Sequence, residues 1–135
     1  MIRLKRAYEA PVPRDGTRVL VDRIWPRGVS REKLRIEAWL PDLGPSAALR
    51  TWFGHDPSRW ETFRRRYLVE LRRKRPLLRQ LAAYARRGTL TLVYGARDPA
   101  HNQAVVIEEV LERRGGVRAR KPASGRRQIR KRSRG

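Results

Sequence analysis

The segment that most constrains the fold is residues 89–94, Thr-Leu-Thr-Leu-Val-Tyr, because this strand-like run lies between two helix-like segments. The preceding segment, residues 76–88, begins with proline, carries leucines at helical spacing and ends in glycine. The following segment starts at Asp98-Pro99, a capping residue before proline, and is predicted to continue as a helix to Arg114. A strand joined closely to helices on both sides is typical of α/β proteins, in which helices connect parallel strands.

Two earlier segments can supply partner strands. Residues 2–8 alternate apolar and polar side chains, and residues 17–22 form a β-branched run. A short extended segment within residues 34–40 and helices after Ser46 and Asp56 are predicted to follow. The sequence therefore predicts one α/β domain over residues 1–114, with a small, at least partly parallel sheet flanked by helices.

Residues 115–135 have a different composition, with nine basic side chains, no acidic one, and few large apolar residues. Such a segment cannot bury enough surface to offset the entropy of ordering, so it is predicted to be a disordered basic tail. Basic arms commonly bind nucleic acid through its phosphates, and a solubilising extension is the alternative. The candidate phosphate contacts are Arg126, Arg127, Arg130, Lys131, Arg132 and Arg134.

The formal net charge of +21 has two explanations. Either the protein contacts a polyanion, or its composition favours arginine, which supplies 29 of the 34 basic residues. No apolar run is long enough to span a membrane, and no apolar segment of a secretory signal follows the basic N-terminus. We therefore expect a cytoplasmic protein without membrane contact.

Several site chemistries are disfavoured by the residues present. The absence of cysteine excludes disulfides and thiolate nucleophiles. His55 and His101 are the only histidines and lack a paired metal-ligand spacing, so no metal site is expected. Neither a Walker loop nor a dinucleotide-binding glycine motif occurs, and no cofactor is expected.

Two loops follow predicted strands and carry the candidate functional residues. In parallel sheets the carboxyl ends of strands meet at one edge, so the loops at residues 22–28 and 94–102 are expected to converge on a ligand. Arg23 and Arg27 are predicted to bind an anion, and the backbone opening the last helix would favour the same charge. The predicted pocket-lining residues are Trp25, Tyr94, Asp98 and Asn102, with Asp98 also a candidate general acid or base.

Each of these residues also has a structural interpretation. Asp22 and Arg23 can form an ion pair that fixes the loop, and Trp25 can be a core aromatic or a lid. Asp98 can act as a helix cap. His101 lies beside the predicted pocket but also fits an exposed position at the start of a helix. These alternatives stay open at the level of sequence.

The segment DGTRVLVDRIWPRG, residues 15–28, resembles the hallmark of the YeaO-like family, domain of unknown function 488. The segments IEAW, PSAALRTWF, FRRRYLVEL and LTLVYGARDPAHNQAVVIEEVL agree in the same order, so the resemblance covers residues 2–114. It implies a small α/β protein and brings no established activity or catalytic residue. The matching positions expected to line a pocket are Arg23, Trp25, Pro26, Arg27, Gly28, Tyr94, Asp98 and Asn102.

Three functions are consistent with this sequence. The domain can bind a small anionic molecule as an enzyme or a sensor, or the protein can associate with nucleic acid through its basic tail. The third alternative is an interaction module without catalysis. Whether a reaction is catalysed, and the oligomeric state, are left open by the sequence.

Overall fold

The structure is a computed structural model that describes the backbone of residues 1–115 and the side chains of residues 1–113; the predicted basic tail lies almost entirely outside this part. The strands are β1 (Ile2–Arg6), β2 (Thr17–Leu20), β3 (Ala38–Trp39) and β4 (Leu90–Tyr94). The helices are α1 (Arg31–Leu34), α2 (Ala47–Phe53), α3 (Trp60–Leu71), α4 (Arg75–Arg87) and α5 (Gln103–Gly115).

The four strands form one sheet in the order β1-β4-β2-β3, and every pairing is parallel. The last strand, β4, therefore lies in the middle, with Leu92 opposite Leu4 of β1 and Val19 of β2. This confirms the predicted α/β class and its parallel sheet. It also places the carboxyl ends of β2 and β4 side by side.

Successive side chains along each strand point to opposite faces of the sheet and contribute to two apolar clusters of unequal size. Val19 and Leu92 belong to the main core, which is completed by apolar side chains of α2 to α5. Leu20 and Val93 face the opposite side, where a smaller cluster includes Leu34 of α1. The long helices thus cover one face of the sheet, and the one-turn helix α1 with its adjoining loops covers the other.

Capping side chains set the starts of the helices. Ser46 Oγ accepts a hydrogen bond from Leu49 N at 3.2 Å, as expected for the cap of α2. Asp56 caps a short 3₁₀ turn, Pro57–Arg59, that leads into α3. Pro76 lies in the first turn of α4, so the predicted break between two helices is confirmed.

Two predicted boundaries were wrong. Leu34 was expected in an extended segment, but it ends α1, which Ser30 caps through a hydrogen bond from Lys33 N. The last helix was expected to begin at Asp98, yet Asp98 Oδ1 accepts from Ala100 N and caps only a turn. Asn102 Oδ1 accepts from Ala104 N at 2.9 Å and caps α5 instead.

A buried ionic cluster lies on the face of the sheet opposite the main core. Asp15 is fully buried, and one of its oxygens lies 3.0 Å from Lys5 Nζ and 2.8 Å from Arg18 Nη1. Arg18 also donates twice to the Leu34 carbonyl, which ties α1 to the sheet. Burial would raise the pKa of Asp15, but hydrogen bonds from Val12, Lys5 and Arg18 outweigh it and hold the pKa below its ordinary value.

Among the described residues, no helix combines the length and the apolar character needed to cross a bilayer.

Candidate functional site

A cavity of about 250 Å³ lies at the carboxyl edge of the sheet, between the loops that follow β2 and β4. The two loops are joined directly, because Gly95 N donates to Asp22 Oδ2 at 2.9 Å. The sequence predicted this convergence from the position of each loop after a strand. Of the predicted site residues, Arg23, Trp25, Pro26 and Asn102 line the cavity.

Asp22 is the carboxylate of the cavity and also the link between its walls. It accepts from Gly95 N and from the Gln103 side chain, so it holds the β4 loop and α5 together. An alanine at position 95 would place its Cβ 2.8 Å from Asp22 Oδ2, so the Asp22 carboxylate would have to shift. Burial raises the pKa of Asp22 to about 6, although the hydrogen bonds from Gly95 and Gln103 oppose the shift.

Arg23 lines the cavity, but two of its guanidinium nitrogens donate hydrogen bonds to the backbone. Its Nε and Nη2 donate to the carbonyl oxygens of Pro45 and Gly44 at 2.9 and 2.8 Å. The alternative that Arg23 pairs with Asp22 is not what the structure shows, since no ion pair between them exists in the described part of the chain. Arg23 fixes the segment before α2 and adds positive charge to the cavity wall.

Arg50 is a cavity residue that sequence reasoning missed. It lies on α2, one turn after the Ser46 cap and one turn before the buried Phe53. Its Nη1 is buried and has no hydrogen-bond partner among the described residues. A guanidinium nitrogen in this state retains an unused donor, which costs free energy unless an acceptor reaches it. The signal in the sequence was a charged residue on the core-facing side of a short helix.

Aromatic side chains form the apolar walls of the cavity. Phe53 and Phe63 stack with ring centroids 4.3 Å apart, and both line the cavity. Trp25 packs edge-on against Trp39 at 5.3 Å and donates from Nε1 to the Val29 carbonyl. Trp25 is therefore both a packed aromatic of the smaller core and a wall of the cavity.

Asp98 is hydrogen-bonded to His101 and does not itself line the cavity. The Asp98 carboxylate lies 2.7 Å from His101 Nδ1, and this hydrogen bond and those from backbone N–H groups lower the pKa of Asp98. His101 lines the cavity, and its ring lies edge-on to Trp60 at 5.2 Å. Asn102 also lines it, but its amide is bonded to Asp98 O and to the backbone of α5.

Four predicted residues lie outside this cavity, namely Arg27, Gly28, Tyr94 and Asp98. Arg27 is exposed and directed by the turn that Pro26 and Gly28 form, while its carbonyl accepts from the Tyr8 hydroxyl. Tyr94 is buried in the main core and borders a separate hollow near Pro99. Arg23 and Arg27 are thus not brought together, and the second cavity arginine is Arg50.

The described residues contain no group of three His, Asp or Glu side chains arranged to hold a metal ion.

The fold and the site define a small α/β protein that carries a polar and aromatic cavity at the carboxyl edge of an all-parallel sheet. A family model described as "Inactive DUF488-N3 subclade" matches residues 1–126, and the chain belongs to this family, DUF488-N3i. The resemblance stated from the sequence is confirmed. The match extends past residue 114, where we placed the end of the domain.

Similar proteins occur in distant bacteria. "Uncharacterized protein Rv3073c" of Mycobacterium tuberculosis (H37Rv) is 39% identical over 113 residues, which are 84% of this chain and 95% of that protein. "Uncharacterized protein YeaO" of Escherichia coli (K12) is 37% identical over 110 residues, 82% of this chain and 96% of YeaO. No solved structure matches the chain.

Proposed function

We propose that this protein binds a small molecule that has one anionic group and one planar apolar part, and that it does so without catalysis. The observation that carries the proposal is Arg50 Nη1, a buried donor without a hydrogen-bond partner among the described residues, in the wall of the cavity. An anionic oxygen is the acceptor that a guanidinium binds most strongly.

The charges of the cavity favour an anion when Asp22 is protonated. Arg23 and Arg50 contribute two positive charges, and Asp22 is the carboxylate that opposes them. The raised pKa of Asp22, about 6, allows this side chain to be neutral in mildly acidic solution. Charge and pH together therefore support a ligand whose anionic group lies near Arg50.

The size and apolar walls of the cavity support a ligand built on a single ring. A volume of about 250 Å³ lies just below the range of roughly 300–1,000 Å³ that is typical of small-molecule sites. Phe53, Phe63 and Trp25 offer aromatic faces and edges against which a planar group can pack.

Binding without turnover is supported by the family description and by the roles of the polar side chains. The family is described as an inactive subclade. Asp98 is bonded to His101, and the Asn102 amide is bonded to the backbone, so both act in holding the loop and α5. The cytoplasmic location and the role of the basic tail stay predictions.

A matched pair of fragments tests the proposal. Benzenesulfonate and benzenesulfonamide have nearly the same shape, but only the first is charged at neutral pH. We expect benzenesulfonate, benzoate or phenyl phosphate to bind at least ten times more tightly than the sulfonamide, measured by calorimetry on the full chain. NMR shifts of Gly95 and Gln103 should locate the binding, because both residues line the cavity. Equal affinity for charged and neutral fragments, or no binding of any anion, would refute the proposal.

Ligand affinity should depend on pH through Asp22. Benzenesulfonate stays charged from pH 5 to 8, so we expect its affinity to fall as Asp22 ionises above about pH 6. In Asp22→Asn the affinity at pH 7.5 should rise by about tenfold. The substitution removes one charge that repels the anion, and this makes the binding free energy more favourable by roughly 1.4 kcal/mol. Calorimetry at several pH values measures both effects.

Two histidines require a control in this experiment. His55 and His101 line the same cavity as Asp22, together with Arg23 and Arg50. Histidine as a residue type is a common source of pH dependence near neutrality. The pH dependence that remains in Asp22→Asn reports groups other than Asp22, and the difference from wild type reports Asp22. Identical pH dependences of affinity in wild type and Asp22→Asn would show that Asp22 does not control ligand binding.

The raised pKa of Asp22 also affects the stability of the protein. Because the folded pKa of Asp22 lies above its unfolded value, the free energy of unfolding should fall as the pH rises from about 4 to 6.

A further inference from the structure

A second charged feature lies away from the cavity, along α4 and the turn before it. Residues 72–87 carry seven basic side chains and no acidic one. Four of them, Arg75, Arg79, Arg86 and Arg87, are exposed and lie on α4 itself. Arg87 lies over the Tyr84 ring at 5.5 Å. We call the other three, Arg75, Arg79 and Arg86, the arginine stripe.

Helix geometry places the arginine stripe on one face. Its members are four and seven residues apart, and these spacings superpose side chains along a helix. The buried residues of α4 include Leu78, Leu81 and Ala85, which pack toward the core. The stripe is therefore directed to solvent and extends for roughly 16 Å, at a rise of about 1.5 Å per residue.

Some arginines elsewhere in the described chain have side-chain partners, while others, such as Arg14 and Arg35, have none there. Arg64 pairs with Glu109, Arg18 pairs with Asp15, and Arg66 lies over the Trp52 ring at 4.7 Å. No hydrogen bond, ion pair or ring contact within residues 1–113 involves a side chain of the arginine stripe. Arg75 and Arg79 are like charges one turn apart, an arrangement that destabilises a helix by about 0.2–0.5 kcal/mol, so this pair does not stabilise α4.

We propose that the arginine stripe is a docking surface for the phosphate backbone of nucleic acid. The charged residues of α4 are all arginine, whose planar guanidinium suits phosphate oxygens. A straight row of cations complements a polyanion that presents charges at regular short intervals. A membrane is a poorer match, because the exposed large apolar side chains of the described chain are Met1, Tyr8, Val12, Ile24 and Val69, none of them on α4.

Two variants with equal charge change test the proposal. In the stripe variant, Arg75, Arg79 and Arg86 are replaced with Gln, which has a helix propensity similar to that of arginine. In the control variant, Arg14, Lys33 and Arg35, which are exposed and lie near α1 on the other side of the sheet, are replaced with Gln. Both retain the basic tail, so its contribution is the same in each protein. Circular dichroism checks that both are folded.

Fluorescence anisotropy with a labelled 20-base-pair DNA duplex, from 50 to 200 mM salt, measures the effect. We expect the stripe variant to bind at least tenfold more weakly than wild type and its salt slope to be shallower by about 2 to 3. The control variant should change both quantities by less than half as much. Equal losses of DNA affinity in the two variants would mean that net charge, and not the position of the stripe, determines binding, and would refute the proposal. Stripe-dependent binding to polyglutamate or anionic vesicles as strong as that to DNA would also overturn the proposal.

Discussion

Replacing Asp15 with asparagine should lower the free energy of unfolding by about 3–5 kcal/mol. Asp15 is fully buried, and its carboxylate is bonded to Lys5 and Arg18, which are themselves buried. In the variant, Lys5 and Arg18 would remain buried without a carboxylate to pair with. The ion pairs that join Asp15 to β1 and β2 would be lost. Urea unfolding followed by circular dichroism measures the loss.

An exposed aspartate provides the control for this prediction. Asp42 lies in the 3₁₀ turn Pro41–Leu43 and is exposed, so Asp42→Asn should change stability by less than about 0.5 kcal/mol. Because the folded pKa of Asp15 lies below its ordinary value of 3.8, its stabilisation is present above that pH and is lost in stronger acid. The gap between wild type and Asp15→Asn should therefore narrow below about pH 4. A loss under 1 kcal/mol at pH 7 would show that the cluster contributes little.

Replacing Arg50 with glutamine should weaken the binding of the anionic fragments by about 10- to 100-fold. A hydrogen bond to a charged group contributes roughly 1.5–3 kcal/mol, and each 1.4 kcal/mol is a factor of ten in affinity. Stability should not fall, because the substitution removes a buried donor that has no partner among the described residues. Calorimetry with benzenesulfonate and urea unfolding measure the two quantities.

Two further variants separate the role of Arg50 from general charge. Lys33→Gln removes one positive charge from α1, none of whose residues lines the cavity, and should leave fragment affinity unchanged. Arg50→Lys keeps the charge but not the planar fork, so its affinity should lie between those of wild type and Arg50→Gln. Unchanged affinity in Arg50→Gln would remove the observation on which the proposed function depends.

The parts of the fold that the sequence predicted depend on local patterns. The apolar runs at residues 17–22 and 89–94 became adjacent parallel strands, so the loops after them converged as expected. Asp98 illustrates where local reasoning failed, because Asp-Pro is a capping signature and Asn102, one turn later, is another. α5 begins at Gln103, directly after the second of these two caps.

The missed site residues come from elements that are distant in sequence. Arg50 and Gln103 lie on α2 and α5, and each reaches the cavity only because the helices pack on the same face of the sheet. Arg27 was expected in the site because it is close in sequence to Arg23, yet the turn at Pro26 and Gly28 directs it to solvent. The loops that carry the site could be predicted from the sequence because each follows a strand. The helices that supply the remaining cavity residues could not, because they are distant from those loops in sequence.

The central position of β4 has a consequence for how the chain folds during synthesis. β1 and β2 are made first, but they do not pair with each other, and each pairs with β4, which begins at Leu90. A nascent chain that has not yet released β4 from the ribosome cannot join its first two strands into the sheet. Contacts of such long sequence separation slow folding, so assembly of the sheet, and with it the cavity, waits for the last quarter of the domain to emerge.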